Sequence, residues 1–63
     1  MAEFGENIRS GDRVEISPHI DLWMRGARFG EVKDVLGIMA LVRMDHPQVK
    51  KLQEIPVADL KRT

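Results

Sequence analysis

Apolar and polar residues alternate in several short stretches of this sequence, and the stretches are bounded by glycine, proline or aspartate. The clearest stretch is residues 12–16, where Val14 and Ile16 alternate with charged side chains at the period of a half-buried β-strand. Further strands are predicted over residues 30–35, 38–44, 49–55 and 60–62, with a hairpin turn at Gly37. The chain is therefore predicted to be all-β, a five-stranded and partly open barrel.

Two connections shape the predicted barrel. Residues 19–29 show no clean period, which predicts a long ordered loop after the first strand. Pro56 cannot continue a strand ladder and fixes its own φ, so residues 56–59 are predicted to form a 3₁₀ turn before the last strand. Residues 1–10 are expected to be a flexible tail, and residues 11–63 form the domain.

Length and charge limit the classes of function. A chain of 63 residues allows one domain with a thin core, and such domains gain stability from disulfides, metals or oligomerisation. The sequence has no cysteine, which excludes disulfides and thiolate zinc sites. The chain is therefore expected to gain stability by forming a homo-oligomer or by binding a protein partner. Ten basic and ten acidic residues cancel, which removes any global attraction to nucleic acid or membrane. The cytoplasm is the expected compartment, and no membrane segment is predicted.

No residue pattern predicts catalysis. Glu31 and Asp34 are an odd number of positions apart on one strand, which predicts opposite faces rather than a pair of catalytic carboxylates. Neither Ser10 nor Ser17 lies in a nucleophile motif. His19 with Asp21, and Asp45 with His46, are pairs of residue types that can bind a metal ion. Two ligands are too few for a metal site, and the sequence shows no evident third one for either pair. A binding module is therefore favoured over an enzyme, and neither a metal nor a cofactor is predicted.

The apolar run at residues 35–42 raises the question of what covers the outer face of the third strand. If Ala40, Val42 and Met44 point inward, Met39 and Leu41 must point outward. One hypothesis is that the long loop or the N-terminal tail covers these two side chains. The other is that they form a surface for self-association or for a protein partner.

The long loop carries the best candidates for ligand recognition, which are Trp23, Met24, Arg25 and Arg28. An aromatic ring beside two guanidinium groups can stack on a nucleobase or bind a proline-rich peptide. The only tryptophan of a small domain can equally cap one end of its core, in which case both arginines are simply solvated.

A second set of candidates is basic. Lys50, Lys51, Lys61 and Arg62, extended by Arg43, would form a positive strip if the fourth and fifth strands are neighbours. Such a strip contacts phosphates without reading sequence, which gives weak, salt-sensitive nucleic-acid binding. The alternative is a charged edge that prevents sheet-to-sheet aggregation.

Four short motifs resemble the SH3-like small barrels of bacteria and their phages. They are Gly-Asp-Arg-Val at 11–14, Gly-Glu-Val at 30–32, Val-Arg-Met-Asp at 42–45 and Val-Ala-Asp-Leu at 57–60, so the resemblance covers residues 11–62. This class includes KOW-type nucleic-acid and ribosome-associated modules, electron-transport accessory subunits and many short proteins without a known role. The resemblance implies an SH3-like fold and leaves several functions open.

Residues 11–14 and 56–60 are also similar to segments of the plasmid-borne type II dihydrofolate reductases, which are tetrameric SH3-like barrels. In that family a Val-Gln-Ile-Tyr run before the Pro-Val-Ala segment lines a pore shared by four subunits. The corresponding residues here are Leu52, Gln53, Glu54 and Ile55, so the glutamine matches and the tyrosine is replaced. This resemblance implies an NADPH-dependent reductase with Gln53 in its site.

The sequence as a whole predicts a non-catalytic binding or assembly module that self-associates. In this hypothesis Met39 and Leu41 contribute to the contact, while the loop around Trp23 recognises a ligand. The alternatives are a weak KOW-like nucleic-acid module and a divergent type II reductase with NADPH.

Overall fold

A computed structural model describes residues 3–63 and contains five antiparallel strands in one sheet. The strands are β1 (Arg13–Ile16), β2 (Phe29–Leu36), β3 (Met39–Met44), β4 (Gln53–Pro56) and β5 (Leu60–Arg62). A four-residue helix, α1 (Asp21–Met24), lies in the loop after β1, and a 3₁₀ turn (Val57–Asp59) precedes β5. The strand order is β4-β3-β2-β1-β5, so the sheet is open between β4 and β5. The predicted fold class, with its long loop and its 3₁₀ turn, is confirmed.

The core lies on the inner face of the sheet. Val14 and Ile16 of β1 are buried, as are Ala40, Val42 and Met44 of β3, which is the alternation that the sequence predicts. The other buried apolar side chains are those of Ile8, Ala27, Val32, Ile55 and Leu60. No polar or charged residue among residues 3–63 is buried, so every candidate site is a surface feature.

A β-bulge at Lys33 changes which side chains of β2 share a face. Glu31 lies opposite Arg43 and Asp34 lies opposite Leu41, so the register shifts by one residue between these two positions. Arg43 and Leu41 are two residues apart and lie on the same face, which places Glu31 and Asp34 together on the outer face. The prediction that these two carboxylates face opposite sides is wrong, because the bulge accommodates one extra residue.

β4 begins at Gln53, four residues later than its predicted start at residue 49. The Val49 N–H donates to the His46 carbonyl at 3.1 Å and closes a turn, so the chain rejoins β3 only where Gln53 pairs with Val42. Residues 49–52 therefore belong to the β3–β4 loop, which spans residues 45–52. This longer loop carries two lysines that were predicted to lie on a strand.

Several described residues of the segment predicted as a flexible tail contact the sheet. The Gly5 N–H donates to the Leu60 carbonyl of β5 at 2.7 Å, and Ile8 is part of the core. Residues 1 and 2 of the predicted tail lie outside the described residues. The N-terminal segment thus supplies both a core side chain and a neighbour for β5.

Candidate functional site

The loop after β1 holds Trp23 against the core. Leu22 and Trp23 of α1 are half-buried and pack on it, and the Ala27 N–H donates to the Leu22 carbonyl at 3.0 Å. The Arg28 guanidinium carbon lies 4.6 Å from the centroid of the indole ring, a cation–π contact. A nucleobase or a proline ring would have to displace Arg28 in order to stack on this face. Met24, the remaining apolar residue of the helix, is 86% exposed.

Leu41, one of the two predicted contact residues, is half-buried on the outer face of β3. It is in register with Asp34 on β2 and with Glu54 on β4. Directly opposed residues in a sheet share a face, so a carboxylate flanks Leu41 on each side. These surroundings make Leu41 a poor centre for an apolar interface.

Met39, the other predicted contact residue, belongs to an apolar surface at the tip of the β2–β3 hairpin. It is half-buried and in register with Leu36 and Pro56. Leu36 is 56% exposed and Ile38 is 81% exposed. The Val57 N–H donates to the Ile38 carbonyl at 2.8 Å, which holds the 3₁₀ turn against the hairpin tip. We call this surface the tip patch, and it comprises Gly5, Leu36, Gly37, Ile38, Met39, Pro56, Val57 and Ala58.

A groove of about 440 Å³ crosses the tip patch. Its lining carries no charged side chain and consists of Gly5, Gly37, Ile38, Pro56, Val57 and Ala58. The sequence alone does not predict this groove, because residues 56–58 lie far along the chain from Ile38. Only the pairing of β4 with the start of β3 brings the two segments together. One sequence signal could have indicated the groove. If the strand that ends at Pro56 pairs with the strand that follows the turn at Gly37, the end of the first lies next to the hairpin tip.

A second concave surface lies between α1 and the β3–β4 loop. This cleft has a volume of about 370 Å³ and is lined by Leu22, Arg25, Gln48, Val49, Lys50, Lys51 and Gln53. We call it the basic cleft, because its lining has three cationic side chains and no acidic one. It combines residues from two separately predicted sites, since Arg25 comes from the tryptophan loop and the two lysines from the predicted basic strip.

The rest of the predicted basic strip lies elsewhere. Lys61 and Arg62 are on β5, which pairs with β1 and is separated from β4 by three strands in the sheet order. The Lys61 ammonium lies 3.5 Å from a Glu15 carboxylate oxygen and 5.2 Å from the centroid of the Phe4 ring. Arg43 is exposed on β3. The adjacency of the fourth and fifth strands, on which the predicted strip depends, is therefore absent from the sheet.

Gln53, the residue on which the reductase alternative depends, is half-buried at the start of β4. Its Nε2 donates to the Lys51 carbonyl at 3.0 Å, and its side chain lines the basic cleft. Ile55, which the resemblance to the reductases aligns with their pore tyrosine, is buried in the core, while Glu54 is exposed. A reductase site would therefore need a tetramer that presents Gln53 in a common pore without the neighbouring phenol.

An ion pair ties β1 to the start of the β3–β4 loop. Arg13 Nη1 donates to Asp45 Oδ1 at 3.3 Å, and Arg13 Nη2 donates to Asp45 Oδ2. The hydrogen bonds from the guanidinium lower the pKa of Asp45, and the same pairing raises the pKa of Arg13. The pair positions the first residue of the loop that forms one wall of the basic cleft.

Neither a metal centre nor a membrane helix is found in the part of the chain that the structure describes. Within residues 3–63 no three side chains of His, Cys, Asp or Glu are grouped so that they could hold a metal ion. His19 contacts Asp59, with Nε2 and Oδ1 3.2 Å apart, and its Nδ1 lies 2.7 Å from the Ser17 hydroxyl. In the same residues no helix has the length and apolar character to cross a bilayer.

Comparison with known proteins finds no relative: no protein-family model, no curated protein and no solved structure matches the chain. The resemblance to SH3-like barrels stays a prediction from the motifs in residues 11–62. The tip patch and the basic cleft are therefore the two surfaces from which function is inferred.

Proposed function

We propose that this chain is a non-catalytic assembly module that binds a second copy of itself through the tip patch. One observation supports this proposal above all: a single continuous surface has both a projecting apolar side chain, Ile38, and an uncharged groove. The assembly needs no cofactor. As part of the same proposal the module works in the cytoplasm, because a chain without cysteine does not need an oxidising compartment to fold.

A twofold contact would bury both features of the tip patch. In a symmetric dimer each copy presents the same patch, so Ile38 of one copy enters the groove of the other and the reverse contact forms at the same time. Full burial of an isoleucine side chain is worth about 1.5–3 kcal/mol, and a symmetric contact gains this twice. Leu36, which is more than half exposed, adds apolar area beside it.

Charge also favours a second copy as the occupant. The lining of the groove has no charged side chain, so a partner has nothing to neutralise there. The chain has a formal net charge of zero, which means that two copies approach each other without net repulsion. A partner selected by opposite charge would find no complementary group in this groove.

The free edge of β4 is a weaker route to assembly. β4 has only four residues, and Pro56 at its end lacks an N–H to donate to an added strand. Glu54 places a negative charge on the same short strand. Contact through the face of the tip patch avoids both obstacles.

Light scattering over a concentration series tests the proposal with two matched variants. Ile38→Lys adds a charge to the tip patch, and Met24→Lys adds the same charge at a similarly exposed residue on α1. We expect the unmodified chain and Met24→Lys to pass from monomer to dimer as concentration rises, and Ile38→Lys to stay monomeric with an unchanged circular dichroism spectrum. A monomeric unmodified chain, or an Ile38→Lys variant that still dimerises, would refute the proposal.

A further inference from the structure

The three cations of the basic cleft all line one concave surface. They have no acidic partner among residues 3–63, a property that they share with Arg9, Arg43 and Arg62. Outside the cleft, several basic side chains have a partner: Arg13 with Asp45, Lys33 with Glu31, Lys61 with Glu15 and Arg28 over Trp23. Arg25, Lys50 and Lys51 form no salt bridge with any residue in the described range 3–63. Three uncompensated positive charges thus gather around one concave surface.

We propose that the basic cleft binds a small organic phosphate. Arg25, Lys50 and Lys51 supply three positive charges for a phosphate group that carries nearly two negative charges at neutral pH. Leu22 and Val49, which are half-buried against the core, offer an apolar surface for the organic part. The cleft shares no lining residue with the tip patch, so this proposal is independent of self-association.

The size of the cleft favours a small molecule over a nucleic-acid strand. Its volume of about 370 Å³ lies within the range of small-molecule sites, roughly 300–1,000 Å³. A polynucleotide requires a positive groove that follows several phosphates, with aromatic rings for its bases. Lys61 and Arg62 are on β5, which does not pair with β4, and neither residue lines the cleft. The lining of the cleft also has no aromatic side chain on which a base could stack.

The arrangement of charges favours a phosphate over a carboxylate. A carboxylate carries one negative charge, which a single arginine can bind through two hydrogen bonds. Here two consecutive lysines face the same cleft as Arg25, which is more positive charge than a carboxylate neutralises. Lysine binds phosphate as a point charge, so the exposed and adaptable side chains of Lys50 and Lys51 suit that role.

An NMR titration of the ¹⁵N-labelled chain tests the proposal with defined probes. The probes are ribose 5-phosphate, adenosine monophosphate, inorganic phosphate, adenosine and butyrate. We expect the two organic phosphates to give saturable shifts of the amide signals of Leu22, Arg25 and residues 48–53. Inorganic phosphate should bind more weakly because it does not contact the apolar surface, and adenosine and butyrate should not saturate.

Variants test whether the lysines of the basic cleft supply the positive charge that binds the phosphate. The double change Lys50→Gln and Lys51→Gln should weaken binding of the organic phosphates by about tenfold or more, because two charge-assisted contacts are lost. The single change Lys33→Gln removes a lysine that is paired with Glu31 outside the cleft, and it should leave the affinity unchanged. Dispersed amide spectra of all variants confirm that they are folded.

Four results would overturn the proposal. They are the absence of saturable shifts below about 10 mM probe, an unchanged affinity in the double variant, equal binding of butyrate, and binding of inorganic phosphate as tight as that of the organic phosphates. A short oligonucleotide that binds more tightly than the mononucleotide, with a steep loss of affinity as salt rises, would assign the cleft to nucleic acid instead.

Discussion

Gly30 is the residue of β2 that has the least room for a side chain. A Cβ at this position would lie 2.6 Å from the Arg43 carbonyl oxygen and 2.9 Å from Val42 Cγ1. Because part of this clash is with backbone, Gly30→Ala should lower the free energy of unfolding by about 2–3 kcal/mol, as measured by urea denaturation.

Gly37→Asn is the matched control for Gly30→Ala. Gly37 has a φ of +64°, which asparagine tolerates, and a Cβ there would meet no atom within 4 Å. We expect a change in stability of less than about 1 kcal/mol. A loss as large as that of Gly30→Ala would contradict the steric explanation.

The Arg13–Asp45 pair predicts a specific dependence of stability on pH. The folded chain lowers the pKa of Asp45, so the pair stabilises the fold fully above the ordinary aspartate value of about 3.9. This contribution is lost as pH falls through the lowered pKa. The melting temperature of the unmodified chain should therefore exceed that of Asp45→Asn above about pH 5, and the two should converge towards about pH 2.

Arg13→Gln provides a second measure of the same ion pair. It removes the hydrogen bonds that lower the pKa of Asp45, so it should abolish the same pH-dependent part of the melting temperature. A difference between the variants and the unmodified chain that stays constant from about pH 2 to pH 6 would show that the pair does not titrate as described.

At the scale of secondary-structure elements, β5 depends on a single buried side chain. β5 has three residues and pairs only with β1, and Leu60 is its only fully buried residue. Leu60→Ala should cost about 3 kcal/mol. A chain of 63 residues has a total stability of about 3–9 kcal/mol, so this single change removes a large part of it.

Leu52→Ala is the control for Leu60→Ala, because it shortens the same type of side chain at an exposed position. Leu52 lies in the β3–β4 loop and is 48% exposed. Leu52→Ala should cost less than about 1 kcal/mol in the same denaturant experiment. Similar losses for the two variants would mean that Leu60 does not anchor β5.

The elements show where sequence reasoning succeeds and where it fails. The alternation of Val14 and Ile16 with charged residues predicts β1 because one face of that strand is buried. Nothing in the residue type of Lys33 signals a bulge, which arises from the pairing of β2 with β3. Val49 and Leu52 look like strand residues, yet the turn closed by Val49 keeps the chain away from β3 until Gln53.

Both candidate surfaces depend on contacts that are distant in sequence. The tip patch forms because Val57 bonds to Ile38, and the basic cleft forms because α1 lies beside the β3–β4 loop. The sequence identified Met39, Arg25 and the two lysines of the cleft as candidates by residue type. The sequence could not show which of these residues lie together. The alternation of apolar and polar residues predicts single strands, and it does not indicate which loops are neighbours in the fold.

At the scale of the whole molecule, the two surfaces should respond differently to salt. The groove of the tip patch has no charged lining, so dimerisation should be unchanged or strengthened when sodium chloride rises from about 0.05 M to about 0.5 M. Light scattering at the two salt concentrations measures this. Dissociation at the higher concentration would indicate that charged residues, rather than the tip patch, hold the copies together.

The central claim is that Ile38 of one copy enters the groove of another. The most direct measurement is an isotope-filtered NOE experiment on an equal mixture of ¹³C,¹⁵N-labelled and unlabelled chains, at a concentration where light scattering gives a dimer. We predict intermolecular NOEs between the Ile38 methyl groups of one copy and Val57 and Ala58 of the other. A chain that stays monomeric at every concentration, or a dimer whose intermolecular NOEs lie outside the tip patch, would contradict the claim.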